Sequence, residues 1–297
     1  MHTFIKKDMT YKSIVGVWLG GRTLVAGKVK NGKTENSISK QINNLASEEQ
    51  IIADVINIIA EVMDDDVVGI GIGVPSLVDV EKGIVYRVQK IPSWREVHLK
   101  DILESRFNVK VYVNNDANCF AVGEKYFGQA KSYENIVGLI LGSGVGAGIV
   151  FKGHLYSGTN CGAGEFGSLP YRDNDFEYYC SEGYFEEKYG LNADVLYQRA
   201  MQKDKIALAI YEQYGQDVGN AIKALIFAFD PEVIVIGGSM AKAFPFFEKE
   251  MHRVVKTFLY KHILNKLKIF KSENEDIAIL GAAALFYDAQ NMTLKKY

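Results

Sequence analysis

Two stretches of this sequence are nearly the same, and the pattern they share limits what the chain can fold into. Residues 14–21 read IVGVWLGG, and residues 136–143 read IVGLILGS. AGKVKNG follows the first stretch at 26–32, and AGIVFKG follows the second at 147–153. Each copy is typical of a β-hairpin with a glycine turn. A chance likeness between two apolar hairpins is the alternative, but the matches at both ends of the hairpin favour an internal repeat.

The rest of the chain alternates short apolar runs with helical patterns, which is typical of an α/β fold. Two similar α/β halves then face each other across a cleft, and such clefts are preferred small-molecule sites. The predicted strands are 13–19, 24–30, 67–74, 109–113, 136–141, 146–152 and 233–237. The predicted helices are 47–63, 97–107, 117–128, 193–203, 206–229, 244–265 and 277–290.

Composition narrows the classes of function. The net charge of about -2 gives no electrostatic footprint for nucleic acid or an anionic membrane. No run approaches the roughly 18 apolar residues of a membrane span, and the first residues lack the apolar core of a signal peptide. Cys119, Cys161 and Cys180 are widely spaced, which suits a reducing compartment. We therefore expect a cytoplasmic protein with a small-molecule partner.

Glycine turns follow three of the predicted strands, and a backbone without Cβ atoms can approach an anion closely. LGSGVGAG at 141–148 lacks the Gly-Lys-Ser/Thr of a P-loop, and the strand that follows it argues against a dinucleotide fingerprint. Taken alone, it is equally well interpreted as a flexible hairpin turn. Together the three turns predict a nucleotide site, with phosphates at the hairpins and adenosine at the third turn. The predicted ATP-binding residues are Gly20, Gly21, Arg22, Gly142, Ser143, Gly144, Gly146, Gly237 and Gly238.

A polar triplet, Asn114-Asn115-Asp116, lies where a predicted strand runs directly into a helix. In the structural interpretation, one of the three caps the helix, which is worth about 1 kcal/mol. Capping does not explain the whole triplet between two apolar runs. In the functional interpretation Asp116 is a general base that takes a proton from a substrate hydroxyl, and Asn115 holds a neighbouring hydroxyl.

A second acidic segment, CGAGEFGSL at 161–169, contains Glu165 among glycines. Its carboxylate is suited to accept hydrogen bonds from vicinal hydroxyls of a sugar. SEGYFEEKYG at 181–190 adds Glu182, Glu186 and Glu187, although most acids in such a stretch are simply solvated.

Taken together, these segments resemble the ROK family (repressor, open reading frame, kinase). The resemblance covers residues 13 to 290 and rests on the order and spacing of six segments: GVPSLVD (73–79), NNDAN (114–118), LGSGVGAGIV (141–150), GAGEFG (162–167), DPEVIVIGGSM (230–240) and LGAAALF (280–286). It implies two actin-like, or ribonuclease H-like, α/β domains flanking a nucleotide and sugar cleft. We expect them at 1–117, completed by a helix at 278–297, and at 118–277.

The resemblance also implies an ATP- and Mg²⁺-dependent kinase of a hexose or N-acetylhexosamine. Asp116 is then the catalytic base, and Asn115, Glu165, Ser168 and Glu186 bind the sugar. Only about a dozen residues precede the first strand, so we expect no DNA-binding domain. We further expect a homodimer.

The family's zinc motif is absent. Its histidine position is Ser168, and its three cysteine positions are Glu177, Tyr179 and Tyr184. Cys180 stands where the family has glycine. We therefore expect no structural zinc and assign no metal-ligating residue, and we predict that aromatic packing within 171–189 replaces the metal crosslink.

The first glycine turn departs from the family as well. The family reads Asp-x-Gly-Gly-Thr where this chain reads Trp18-Leu19-Gly20-Gly21-Arg22. Trp18 cannot orient Mg²⁺, although Arg22 is able to pair with phosphate. Lys90 stands where the family tends to have asparagine. These departures leave open a second hypothesis: a catalytically impaired family member that binds a sugar or sugar phosphate as a regulator.

Overall fold

The first copy of the repeat forms a hairpin at the centre of one sheet. The computed structural model describes residues 12–88 and 90–295. The sheet has the order β3-β2-β1-β4-β8, in which β1 pairs antiparallel with β2 and parallel with β4, and β4 pairs parallel with β8. Its strands are β1 (Ser13–Leu19), β2 (Thr23–Lys30), β3 (Lys33–Gln41), β4 (Val67–Val74) and β8 (Lys110–Asn115).

This sheet belongs to a compact unit, called unit 1, that is discontinuous in sequence. Unit 1 comprises the described residues up to Ser132, the segment His154–Ala163 and the residues from Glu273 onward. Its remaining strands are β5 (Leu77–Asp79), β6 (Ile84–Tyr86), β7 (Glu96–Val97) and β11 (His154–Leu155). Its helices are α1 (Glu48–Val62), α2 (Leu99–Phe107), α3 (Asp116–Tyr126) and α10 (Ile277–Lys295).

The second copy of the repeat is the hairpin of unit 2, which comprises Tyr133–Gly153 and Gly164–Ser272. Its main sheet contains β10-β9-β14-β15 in that order. The strands of unit 2 are β9 (Ile136–Leu141), β10 (Val145–Phe151), β12 (Pro170–Tyr171), β13 (Asn174–Asp175), β14 (Val233–Gly237) and β15 (Lys268–Lys271). The helices are α4 (Phe176–Cys180), α5 (Gly183–Tyr189), α6 (Ala193–Met201), α7 (Lys205–Phe229), α8 (Phe244–Val255) and α9 (Lys261–Leu264).

The two hairpins follow the same plan, so the internal repeat is confirmed. β9 pairs antiparallel with β10 and parallel with β14, as β1 does with β2 and β4. Glycines face each other at the same place in both hairpins, Gly16 opposite Gly27 and Gly138 opposite Gly148. The first turn (Gly20–Arg22) joins β1 to β2, and the second turn (Gly142–Gly144) joins β9 to β10.

The core of unit 1 explains why the strands are rich in glycine. α10 lies directly on the sheet, and a Cβ atom built on Gly16 would lie 2.0 Å from the carbonyl oxygen of Ile279. A Cβ on Gly71 would lie 1.8 Å from that of Ala282. Only glycine permits this backbone approach. The opposite face buries β1 against α1.

Unit 2 has an apolar core of its own, in which α7 and α8 pack closely on each other. Cβ atoms built on Gly215 and Gly219 would lie 2.6 Å from the carbonyl oxygen of Phe247 and 2.7 Å from Cβ of Val254, respectively. Phe247 and Tyr214 are fully buried between these helices and the sheet.

Each predicted strand is present, with ends shifted by no more than two residues. The single predicted helix 244–265 is wrong, because the structure divides it into α8 and α9. The compact units also divide the chain differently from the predicted boundaries 1–117 and 118–277, since α3 lies wholly in unit 1. Within the described residues, no helix is long and apolar enough to cross a membrane.

Candidate functional site

The first turn of unit 1 has a side chain over each of its two glycines. A Cβ atom built on Gly20 would lie 2.5 Å from Cη2 of Trp18, and its three nearest atoms are all indole carbons. The corresponding atom on Gly21 would lie 2.6 Å from Cδ of Lys90, and its three nearest atoms all belong to that side chain. Arg22 is exposed beside them. The indole and an aliphatic lysine stem therefore cover the turn that sequence assigns to phosphate.

The strand ends of unit 1 bring Trp18 and the polar triplet to one edge of the sheet. Trp18 lies opposite Gly73 on β4, and Gly73 lies opposite Asn114 on β8. A Cβ atom built on Gly73 would lie 3.7 Å from Cα of Asp116. Because these strands are parallel, their carboxyl ends form the edge at which α/β proteins bind ligands.

Asn115 is the N-cap of α3. Its Oδ1 accepts hydrogen bonds from the N–H groups of Ala117 at 2.8 Å and Asn118 at 3.4 Å, and its Nδ2 donates to the carbonyl oxygen of Ser76 at 3.3 Å. The capping prediction is therefore confirmed for this residue. Asp116 begins the helix and is half-buried, and its Oδ1 accepts from the N–H of Ala117 at 2.9 Å.

Asn114 has a structural role that sequence did not reveal. Its buried Oδ1 accepts from the N–H of Asn115 at 2.8 Å, Nδ2 of Asn118 at 2.9 Å and Sγ of Cys161 at 3.2 Å, and its Nδ2 donates to Oγ of Ser157 at 3.4 Å. This network fixes the segment 157–161 to the β8–α3 junction. Satisfied buried networks of this kind hold a local geometry rigidly.

The second turn, in unit 2, has a carboxylate behind it instead of a lysine. Oε2 of Glu177 accepts from the N–H of Val145 at 3.0 Å, and a Cβ atom built on Gly144 would lie 2.9 Å from the same oxygen. The N–H of Glu182 donates to the carbonyl oxygen of Gly142 at 2.8 Å. Gly146, predicted to bind ATP, lies inside β10 opposite Ile140 and is not part of the turn.

The third turn, Gly237–Gly238, lies against the second turn in unit 2. Gly238 has a φ of 85°, and a Cβ atom there would lie 2.3 Å from the carbonyl oxygen of Leu141, so only glycine fits. A Cβ on Gly142 would lie 2.9 Å from Oγ of Ser239, which donates a hydrogen bond to Glu182. The structure thus brings the predicted nucleotide residues of unit 2 together, with the exception of Gly146. Ser143 is exposed at the tip of the second turn.

The predicted sugar residues of unit 2 lie on two elements. Glu165 is solvent-exposed and precedes a single turn of 3₁₀ helix, Phe166–Ser168. The pKa of the Glu165 carboxyl is raised, mainly by desolvation by the surrounding protein and to a smaller extent by the nearby charge of Glu177. Ser168 ends that turn and is exposed, and Glu186 is exposed on α5.

Gly164, the residue before Glu165, fixes this loop to the second hairpin. Its carbonyl oxygen accepts from the N–H of Ala147 at 2.9 Å. Its φ is 98°, and a Cβ atom there would lie 1.6 Å from the carbonyl oxygen of Ala147. The predicted sugar loop therefore packs on β10 through a position that accepts only glycine.

The aromatic packing predicted for 171–189 is confirmed. Tyr171 stacks on Phe176 with ring centroids 4.5 Å apart, and Tyr179 contacts Tyr171 and Tyr184, each at 5.4 Å. The guanidinium carbon of Arg172 lies 5.0 Å from the Tyr171 ring centroid and 4.9 Å from that of Tyr179.

The same guanidinium forms an ion pair with a buried carboxylate on α7. Nη2 of Arg172 lies 2.6 Å from Oδ1 of Asp217, which also accepts a hydrogen bond from the Tyr171 hydroxyl at 3.0 Å. Burial raises the pKa of Asp217, against the hydrogen bonds and the charge that lower it.

None of the described residues forms a cluster of three or more histidine, cysteine or acidic side chains suited to a metal ion. Mg²⁺ prefers oxygen ligands. The side chains of Trp18 and Lys90 contain no oxygen and so supply no such ligand at the first turn. The side chains over this turn therefore do not fit a divalent metal.

Two α/β units that share one hairpin plan define a protein of the actin-like class, and comparison with known proteins agrees with this fold. The sequence model of the ROK family matches residues 14–289, so the chain belongs to the ROK family. It is 30% identical to a glucokinase of Thermotoga maritima over 92% of this chain and 96% of the relative. It is also 26% identical to the xylose repressor of Bacillus subtilis, over 74% of this chain and 61% of the repressor.

Solved structures give the same fold. A ROK family glucokinase from Streptomyces griseus, in complex with glucose and AMPPNP, is similar with a TM-score of 0.79. It is 22% identical over 92% of this chain and 98% of its own. The relatives of this chain thus include sugar kinases and transcriptional repressors.

Proposed function

We propose that this protein is an ATP-dependent kinase of a hexose or an N-acetylhexosamine, with Asp116 as the general base. The position of Asp116 carries this proposal. Its half-buried carboxyl lies at the first turn of α3, at the sheet edge where β1, β4 and β8 end. The glucokinase of T. maritima and the N-acetyl-D-glucosamine kinase of Vibrio cholerae, 28% identical over 73% of this chain, support it.

In the proposed reaction the Asp116 carboxylate accepts the proton of a sugar hydroxyl. The hydroxyl oxygen forms a bond to the γ-phosphorus of ATP, the bond from that phosphorus to the β–γ bridging oxygen breaks, and ADP leaves with the electron pair. Such a reaction depends mostly on positioning and charge neutralisation. Asn115, Glu165, Ser168 and Glu186 are assigned to the sugar, and the glycine turns to the nucleotide. Mg²⁺ accompanies the nucleotide, with no protein ligand assigned to it.

The test is an ADP-release screen with Mg-ATP over glucose, fructose, mannose and the N-acetylhexosamines. With the best sugar, we expect Asp116→Asn to lower kcat by about 10²- to 10⁴-fold, the usual contribution of general base catalysis. Asp101→Asn is the matched control, because Asp101 is an exposed carboxylate on α2 of the same unit. ADP release that is unchanged in Asp116→Asn contradicts the assigned base.

A second function is favoured by the first turn, where Trp18 and Lys90 cover both glycines. We propose as the alternative a catalytically impaired regulator that binds a sugar or sugar phosphate. It predicts a sugar-dependent rise in melting temperature with no turnover of ATP. Sugar-stimulated ADP release that Asp116→Asn abolishes rules this alternative out.

A further inference from the structure

The structure holds the stem of a lysine against the first turn in unit 1. The Lys90 stem packs along Gly21, with Cδ, Cβ and Cγ at 2.6, 3.0 and 3.3 Å from the position of a Cβ built there. The backbone of Lys90 is fixed as well, because its carbonyl oxygen accepts a hydrogen bond from Nδ2 of Asn44 at 2.7 Å. Arg22 is part of the turn and exposed. One basic side chain is therefore part of this turn and a second packs on it.

The backbone of this turn is partly engaged, which leaves side chains to meet a ligand. The N–H of Gly20 donates to the carbonyl oxygen of Thr23 at 2.8 Å, so it does not point to an anion. The indole of Trp18 closes one side with carbon atoms only.

We propose that the first turn binds a phosphate group directly, through Lys90 and Arg22, without a divalent metal ion between protein and phosphate. This rests on the proposed function only in taking a phosphorylated ligand to be present at this turn. The guanidinium of Arg22 is able to donate two parallel hydrogen bonds to phosphate oxygens, and Lys90 adds a compact charge. Together they neutralise the charge that a metal ion otherwise balances.

The phosphate has two sources with the same chemistry, a nucleotide or a hexose phosphate. Isothermal titration calorimetry with ATP, ADP and a hexose 6-phosphate distinguishes them. Each ligand is titrated once in excess EDTA and once in excess Mg²⁺. We expect at least one ligand to bind in EDTA within about threefold of its affinity in Mg²⁺, and the ligand that does so identifies the source.

Lys90→Gln and Arg22→Gln test the assignment of the two cations. Hydrogen bonds to charged groups justify an expected loss of about tenfold or more in the EDTA affinity for each variant. Lys82→Gln is the matched control, because Lys82 is an exposed lysine of unit 1 between β5 and β6. The affinity of this variant for the ligand should equal that of the unmodified protein. The proposal is overturned if every ligand requires Mg²⁺ to bind. It is also overturned if both variants bind the ligand in EDTA with the affinity of the unmodified protein.

Failure here is distinguishable from failure of the proposed kinase. The kinase is measured by ADP release with unphosphorylated sugars, and the phosphate site by calorimetry without sugar. Metal-free phosphate binding without ATP turnover supports this proposal and contradicts the proposed kinase activity. ATP turnover together with phosphate binding that strictly depends on Mg²⁺ supports the kinase activity and contradicts this proposal.

Discussion

The two hairpins have one framework and opposite chemistry at their turns. Gly16 faces Gly27 in the first and Gly138 faces Gly148 in the second, and each hairpin is extended by parallel strands. Behind the first turn lie an indole and a lysine, whereas a glutamate carboxylate lies behind the second. The strand pattern of the repeat is thus retained, while the side chains packed around the two turns carry opposite charges.

This difference in charge assigns different roles to the turns. A cationic turn attracts phosphate directly. In the second turn, Glu177 accepts the N–H of Val145 and so fixes the backbone shape, while repelling an anion that approaches the same amide. We infer that the first turn contributes charge to the binding of a phosphorylated ligand, whereas Glu177 fixes the backbone shape of the second turn.

The largest expected effect concerns the support of the second hairpin. Gly164→Ala places a methyl group 1.6 Å from the carbonyl oxygen of Ala147 at a φ of 98°. The clash forces the loop away from β10, and we expect a loss of about 4 kcal/mol of stability, measured by urea unfolding. Gly162→Ala is the control, since a Cβ there meets nothing within 4 Å. Equal stability of the two variants would refute the rigid attachment of this loop.

The first turn should tolerate change better, because what covers its glycine is a side chain. Gly20→Ala brings a methyl group 2.5 Å from the Trp18 ring, and we expect a cost of about 1–2 kcal/mol. In the Trp18→Ala background the same change should cost much less. A double-mutant cycle that gives no coupling energy between the two positions contradicts the observed packing.

The smallest expected effect is a pH shift at Glu165, in the loop that packs on β10. The pKa of Glu165 is raised above its usual 4.5 by desolvation and by Glu177. Since the ionised carboxylate accepts hydroxyl hydrogen bonds more strongly, sugar affinity should rise as the pH increases through this raised pKa. Glu177→Gln removes a like charge, so the midpoint should move to lower pH by a fraction of a unit.

Calorimetric titration of the best sugar between pH 4 and 7 measures that midpoint. Glu187→Gln is the control, because Glu187 is an exposed acid on α5 that accepts a hydrogen bond from Tyr178. An unshifted midpoint in Glu177→Gln means that the two carboxylates do not interact.

The sequence predicted the apolar strands well, because buried strands carry a strong apolar signal. It missed β3, whose side chains are mostly exposed and polar on both faces. It also missed the break between α8 and α9, since no glycine or proline lies there to mark a helix end. The hydroxyl of Thr257 donates a hydrogen bond to the carbonyl oxygen of Val254 at the end of α8. Elements stabilised by tertiary contacts leave little local pattern to find.

In the candidate site, too, features set by local sequence were predictable and features set by tertiary contacts were not. The N-cap at Asn115 and the glycines at strand ends follow from local rules. The packing of Lys90 on Gly21 joins residues far apart in sequence, and the position of Glu177 behind Val145 depends on where α4 lies. No spacing in one sequence reports such contacts.

The contact of α10 with Gly16 and Gly71 has a consequence for how the chain is made. The ribosome completes β1, β4 and β8 early, but α10 emerges only after the whole of unit 2. At about 5–20 residues per second, the face of the sheet that α10 will cover stays bare for roughly ten to thirty seconds. During this interval the nascent chain presents an uncovered apolar sheet face, which is the kind of surface that chaperones bind.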